Sequence, residues 1–179
     1  MRFQQTYLKG SYLISLDLLE HERGFFARTF CKEAFSETGI NTSWEQINNS
    51  LSHSKGTLRG LHMQKEPHSE IKLVRCISGT VWDVIVDLRK NSETYGQYFA
   101  EELSAVNRKM MYVPKGFAHG FVSLKDSSEI IYLVSTPYHP ESEETILWND
   151  PDIGIKWPTK ISLISEKDTR GKKLKDLNK

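Results

Sequence analysis

Val81-Trp-Asp-Val-Ile-Val-Asp-Leu88 is the stretch on which the fold turns. Strict alternation puts Trp82, Val84, Val86 and Leu88 on one face and Val81, Asp83, Ile85 and Asp87 on the other, the period of two that marks a strand. Ahead of it runs Ile71-Lys-Leu-Val-Arg-Cys-Ile77, and the intervening Ser78-Gly-Thr80 reads as a hairpin turn. Outward from this pair, β-rich runs recur at 12–18, 25–30, 44–51, 57–64, 97–103, 110–113, 119–124, 130–135 and 145–148. Gly, Pro, Asn and Asp separate them at short intervals. Many short strands at this spacing predict an all-β sandwich or barrel, not alternating β and α units.

Helical pattern is scarce. Residues 31–38 could form two turns closed by Gly39, and Ser165-Glu-Lys-Asp168 resembles an N-cap followed by an acidic first turn. Residues 160–179 carry seven basic and three acidic side chains, which reads as a solvated helix and frayed end more readily than as a nucleic-acid arm. The chain has 179 residues, the size of about one domain, and no linker or repeat divides it. Four Trp, seven Tyr and eight Phe supply a packed core, which argues against disorder. A net charge of +1 gives no electrostatic ground for binding nucleic acid or an anionic membrane. No apolar run approaches the ~18–20 residues of a membrane span, and the first residues lack a signal-peptide pattern. Two cysteines, Cys31 and Cys76, cannot build a disulfide framework or a four-cysteine zinc site. The expectation is a soluble, cytoplasmic, single-domain protein.

Four segments carry the chemistry. Arg59-Gly-Leu-His-Met-Gln64 is a strand in which alternation sets Arg59, Leu61 and Met63 against Gly60, His62 and Gln64. Glu70-Ile-Lys-Leu-Val-Arg75 places Lys72 in an apolar strand, where a lysine commonly guards an edge. Val113-Pro-Lys-Gly-Phe-Ala-His-Gly-Phe121 contains Pro-x-Gly-x-x-His, a turn and strand found in cupin-type jelly rolls. Cupins often bind a metal through that histidine and an earlier His-x-His pair. Here the earlier strand reads His62-Met-Gln64, so a three-histidine site lacks a ligand and no metal is expected. Glu129-Ile-Ile-Tyr-Leu-Val-Ser135 sets Tyr132 among aliphatic neighbours, as an ordinary core tyrosine would be. Tyr138 beside prolines reads as a loop or packing residue, and Trp148-Asn-Asp-Pro151 and Trp157-Pro158 read as turn and packing signatures.

Taken in order, Glu22-Arg-Gly-Phe-Phe26, Thr57-Leu-Arg-Gly-Leu-His62, Lys72-Leu-Val74, Asp83-Val-Ile-Val-Asp-Leu-Arg89, Pro114-Lys-Gly-Phe-Ala-His-Gly-Phe121, Tyr132, Trp148-Asn-Asp-Pro151 and Trp157-Pro158 resemble the dTDP-4-dehydrorhamnose 3,5-epimerase family over about residues 10–170. The resemblance implies a cupin-like jelly roll forming a homodimer. It would act without a cofactor, inverting C3, C5 or both in a nucleoside-diphosphate 4-keto-6-deoxyhexose through an enolate. His62 matches the family's base, Asp168 its carboxylate partner, Tyr132 its opposing acid and Lys72 a cation near the C4 oxygen. Arg23 and Arg59 match arginines that grip the diphosphate, and His119 a cavity histidine near sugar or phosphates. Glu143 and Lys167 fall at nucleotide- or substrate-contacting positions, and either could equally be a surface charge. Asp83 and Asp87 could orient His62 or His119, or be structural.

Several positions depart from the family's pattern. Arg28 stands where a glutamate is usual, and Ile47-Asn48-Asn49 replaces a Gln-Asp-Asn segment, so Arg28, Asn48 and Asn49 are candidate nucleotide contacts that could shift the base from thymine towards cytosine. Met63 and Leu133 replace a common aromatic residue and a common lysine. Two other functions stay open: a sugar-nucleotide ketoisomerase, and a sugar-nucleotide-binding cupin without catalysis.

Overall fold

The computed structural model describes residues 1–40 and 43–177. Two six-stranded antiparallel sheets face each other. One orders β1 (Arg2–Gln5), β2 (Tyr12–Ser15), β10 (Met110–Val113), β7 (Lys72–Ser78), β12 (Ser128–Val134) and β5 (Gln46–Ser52). The other orders β13 (Glu143–Thr145), β6 (Thr57–Gln64), β11 (Phe117–Ser123), β8 (Thr80–Asp87) and β9 (Tyr98–Ser104), with β14 (Leu163–Ile164) running parallel to β6. The two remaining strands, β3 (Leu19–His21) and β4 (Gly24–Phe26), pair only with each other as an exposed ribbon. Helix α1 (Lys32–Glu37) follows the ribbon and α2 (Glu166–Thr169) lies near the chain's end. This is the all-β, cupin-like sandwich the alternation predicts. No helix among the described residues is long and apolar enough to cross a membrane.

Alternation along β8 explains how the second sheet is buried on both faces. Val81 and Ile85 join Val74, Cys76, Leu103, Phe117, Phe121 and Ile130 in the core between the sheets. Val84, Val86 and Leu88 pack outward with Leu61, Ala118, Ile146 and Ile153, under a cover that includes Trp82 and Trp157. Trp157 also donates its indole N–H to the Trp148 carbonyl at 3.0 Å, so these two motifs do serve packing. The first sheet's outer face is partly covered by α1, whose Phe35 is buried against Ile14, Leu73, Met110 and Tyr112.

Two sequence expectations need correction. Ser78-Gly-Thr80 is not a hairpin turn, because β7 and β8 belong to different sheets. Gly79 sits at φ +69°, and a Cβ there would fall 2.9 Å from the Ser128 Cα. The chain turns this corner pressed against β12 and crosses from one layer to the other. Ser128 secures the crossing, its hydroxyl donating to the Thr80 carbonyl at 3.0 Å.

The second correction concerns β6. Strict alternation sets Arg59 and His62 on opposite faces, yet both line the space between the sheets. Against β11 the register changes: Arg59 pairs with Phe121, and His62, three residues on, pairs with His119, two residues away. The extra residue reverses the facing, as a bulge does. Glycines permit it. A Cβ on Gly60 would lie 2.5 Å from the Gly120 Cα, and Gly60 takes φ +117°, a region open to glycine. The other strand boundaries move by a few residues, and β1, β3 and β14 have no clear sequence signal.

Candidate active site

The inner face of the first sheet and the facing end of the second form one wall each of a cleft. On β12, Ile130, Tyr132 and Val134 point inward and are matched across β5 by Ser50, Asn48 and Gln46. Lys72 lies directly across from Val134 on β7. From the other side come Arg59, His62 and Gln64 on β6, His119 and Phe121 on β11, and Glu143 on β13. Two adjoining cavities of about 330 and 290 Å³ share His62, Lys72 and Tyr132. Side chains from residues 62, 72, 132 and 168 thus meet around one space.

His62 sits about one-third exposed, with Nε2 2.6 Å from Asp168 Oδ1, a carboxylate only 4% exposed. Asp168 arrives on α2, whose N-cap Ser165 accepts from the Asp168 backbone N–H. The short helix thereby aims the carboxylate at β6. The Gly60 backbone N–H donates to the second oxygen, Oδ2, at 3.2 Å. Burial acts to raise the Asp168 pKa, but the His62 hydrogen bond and charge, with help from Gly60 and Ser165, hold it below the usual carboxylate value. The carboxylate is therefore an anion that fixes the imidazole, with Nε2–H donating and Nδ1 left with its lone pair.

Tyr132 is the cleft's phenol. Burial, then the negative charge of Glu70, raises its pKa above the ordinary tyrosine value, against an opposing pull from Arg59. It stays a proton donor at neutral pH. Lys72 is buried and pairs with Glu70 at 3.0 Å. A base, a phenolic acid and an ammonium around one cavity suit proton removal next to a carbonyl, with the ammonium positioned to receive charge that develops on oxygen.

The remaining candidates divide. His119 is buried and its Nε2 lies 2.8 Å from Asp83 Oδ1, so Asp83 orients this histidine and Asp87 does not. Asp87 instead accepts from Arg89, Ser92 and Thr94 at the strand's end. Those partners outweigh burial, which alone would raise it, and bring its pKa to about 2. Arg59 holds its guanidinium by donating to the Leu51 carbonyl at 3.0 Å. Glu143 joins Lys167 at 2.5 Å and accepts from the Tyr138 hydroxyl at 2.9 Å, which closes the cleft's rim. Asn48 faces the cleft. Asn49 faces the other way, its amide donating to Glu129 at 2.8 Å. Arg23 lies between the ribbon strands and Arg28 just beyond them, both exposed and apart from this chain's cleft. Ile47 is exposed and Leu133 packs on the outer-face cluster, so these two departures lie outside the acid–base set.

Sequence reasoning passed over Glu70, Gln64 and Tyr138 as site residues. Glu70 and Gln64 each stand two residues from a candidate, Lys72 and His62, and a shared strand face was the available signal. Tyr138 depends on a loop whose path no periodicity foretells. At the rim, His68 and His139 stack at 3.6 Å beside Glu141. Parallel rings keep their nitrogen lone pairs in parallel planes, a poor arrangement for convergence on one cation.

Comparison with known proteins bears on the chain and its fold as a whole. The family profile described as dTDP-4-dehydrorhamnose 3,5-epimerase matches residues 5–176. A protein of that name from Methanothermobacter thermautotrophicus is 45% identical over 178 residues, covering 98% of this chain and 95% of its own. The crystal structure of the dTDP-4-dehydrorhamnose 3,5-epimerase from Elizabethkingia anophelis superposes with a TM-score of 0.96 at 44% identity, over 100% of this chain and 99% of that one. A Legionella pneumophila 3,5-epimerase in complex with dTDP-4-keto-L-rhamnose gives a TM-score of 0.93 at 38% identity, covering 98% and 94% of the two chains. With a profile match along nearly its whole length and relatives about 45% identical over almost all of it, this chain belongs to the dTDP-4-dehydrorhamnose 3,5-epimerase family.

Proposed function

We propose that the protein inverts C3 and C5 of a nucleoside-diphosphate 4-keto-6-deoxyhexose, with His62 as base and Tyr132 as acid. The observation that carries this is one cleft lined by the Asp168-held His62, Lys72 and Tyr132. C3 and C5 both flank the C4 ketone, so either C–H bond can break with its electrons passing into the carbonyl. His62 Nδ1 takes the proton and Asp168 stabilises the imidazolium. Lys72 stabilises the charge on the C4 oxygen. Tyr132 then gives its phenolic proton to the carbon from the opposite face, the C4 carbonyl re-forms, and the configuration is inverted. After each inversion His62 loses its proton to water and Tyr132 regains one from water, so the same pair can act on the second carbon. The substrate's own ketone serves as the electron sink.

Arg59 and His119 line the cavity that also holds Asp168, and suit a diphosphate and sugar hydroxyls. Gln46, Asn48, Tyr138 and Glu143 surround the adjoining one, which suits the nucleoside. Thymine is the base in the complex of the Legionella pneumophila enzyme with dTDP-4-keto-L-rhamnose and is the first expectation here; cytosine is the alternative raised by the altered polar residues. Incubating the protein in deuterated water with dTDP- and CDP-4-keto-6-deoxyglucose tests activity and base together. Deuterium at C3 and C5 with inverted product is expected from the dTDP sugar. A ketone moved to another carbon would make it an isomerase instead, and no exchange with either sugar would sink the proposal.

The active form is a homodimer in this reading. Leu19, Phe25 and Phe26 on the ribbon, and Ile47, Leu51 and Ile77 on the first sheet, expose apolar surface that a second copy would cover. The ribbon also carries Arg23, with Arg28 just past its end, and a second copy's cleft is where a diphosphate could meet them. Light scattering should give about twice 20.7 kDa. A fully active monomer would remove the ribbon arginines from the site.

A further inference from the structure

Glu70 stands just ahead of β7, two residues before Lys72, so both side chains rise on the cleft side. Its Oε1 is 3.0 Å from Lys72 Nζ, and each side chain is 11% exposed. An ion pair so enclosed differs from the many surface pairs that contribute little. Withdrawing two charges from water is unfavourable unless each compensates the other, and removing one strands its partner. A lysine ammonium sits on a flexible four-carbon stem and does not hold one direction unaided. Among the described residues, Glu70 is the carboxylate that holds it.

We infer that Glu70 is a positioning residue of the reaction: its carboxylate anchors the Lys72 ammonium at the cleft wall and balances the charge around the Tyr132 hydroxyl. The inference rests on the acid and cation roles proposed above for Tyr132 and Lys72. Other charged groups reach this space from every wall: Arg59 and His62 on β6, His119 on β11, Glu143 on β13, and Lys167 and Asp168 on α2. The acidic ones are already engaged. Glu143 is held by Lys167 at 2.5 Å and Asp168 by His62 at 2.6 Å, so neither replaces Glu70. Of the carboxylates in the cleft, Glu70 is also the one whose charge bears on the Tyr132 phenol, in the direction that favours its protonated form.

Glu70→Gln keeps the shape and removes the charge. The expected result is a kcat lower by about ten- to a hundredfold with KM changed far less, since an ammonium displaced by an ångström stabilises the enolate poorly. The alkaline limb of the kcat profile should move to lower pH by about half a unit or more, because a phenol relieved of a neighbouring anion ionises sooner. Glu70→Asp should restore part of both. Ultraviolet titration of tyrosinate reads the second effect without turnover: the transition that Tyr132→Phe abolishes should come at lower pH in Glu70→Gln than in the parent. If the protein epimerises normally while that transition and kcat stay put, Glu70 has no such role and the functional proposal survives. If no 4-keto sugar reacts but the transition moves, the charge coupling stands and the assigned reaction fails. A defect confined to KM would overturn the inference in favour of direct substrate contact. Should Glu70→Gln not fold, Glu70→Asp with a parental rate and profile would refute the role.

Discussion

His62→Ala is expected to lower deuterium incorporation at C3 and C5 by ~10³-fold or more, the scale on which a positioned base acts. Folding should survive. His62 is at the cleft surface, and Asp168 keeps the Gly60 N–H and the α2 cap when the imidazole is gone. The unfolding midpoint therefore separates loss of the base from loss of structure. Exchange at the parental rate would mean that another group abstracts the proton. The cleft offers few substitutes: Glu143 is neutralised by Lys167, and His119 is turned towards Asp83. A residual rate that rises with added imidazole would identify the missing function as the ring itself.

Tyr132→Phe separates the two half-reactions. The base and its partner remain, so proton removal and return from the His62 side continue, and label still enters. Delivery from the other face stops. Inverted product should fall by ~10²–10³-fold while exchange falls by less than about tenfold. Proton NMR of the sugar ring distinguishes the outcomes, because inversion alters the coupling constants and exchange erases a signal. Equal losses in both would assign Tyr132 to substrate binding. An unchanged yield of inverted product would remove it from the chemistry. Phenylalanine keeps the ring that packs against the inter-sheet core, which makes a folding defect a weak explanation of either result.

Much of this was legible in the chain itself. Period-two alternation in β8 gave both buried faces of the second sheet, and Ser165 followed by Glu166 and Asp168 gave the capped turn that presents the carboxylate. What alternation could not give was the facing of Arg59. That depends on a register change set by two glycines approaching across β6 and β11, and glycine spacing does not say which strand will be opposite. The corner at Gly79 was misjudged for a similar reason. A Ser-Gly-Thr turn looks the same locally whether the next strand pairs with the last or leaves for another layer. Glu70 escaped notice because its charge bears on Tyr132, sixty-two positions downstream on the neighbouring strand β12, and strand pairing is not written in either segment alone.

The dyad joins a histidine on β6 to a carboxylate on α2, 106 positions away in the sequence. Local opening that frees α2 from β6 would therefore disarm the imidazole while the strands of both sheets stay paired. A chain cut before Ser165 would lose the anion that orients its imidazole, together with Leu174 and Leu177, which pack on the second sheet's outer cluster.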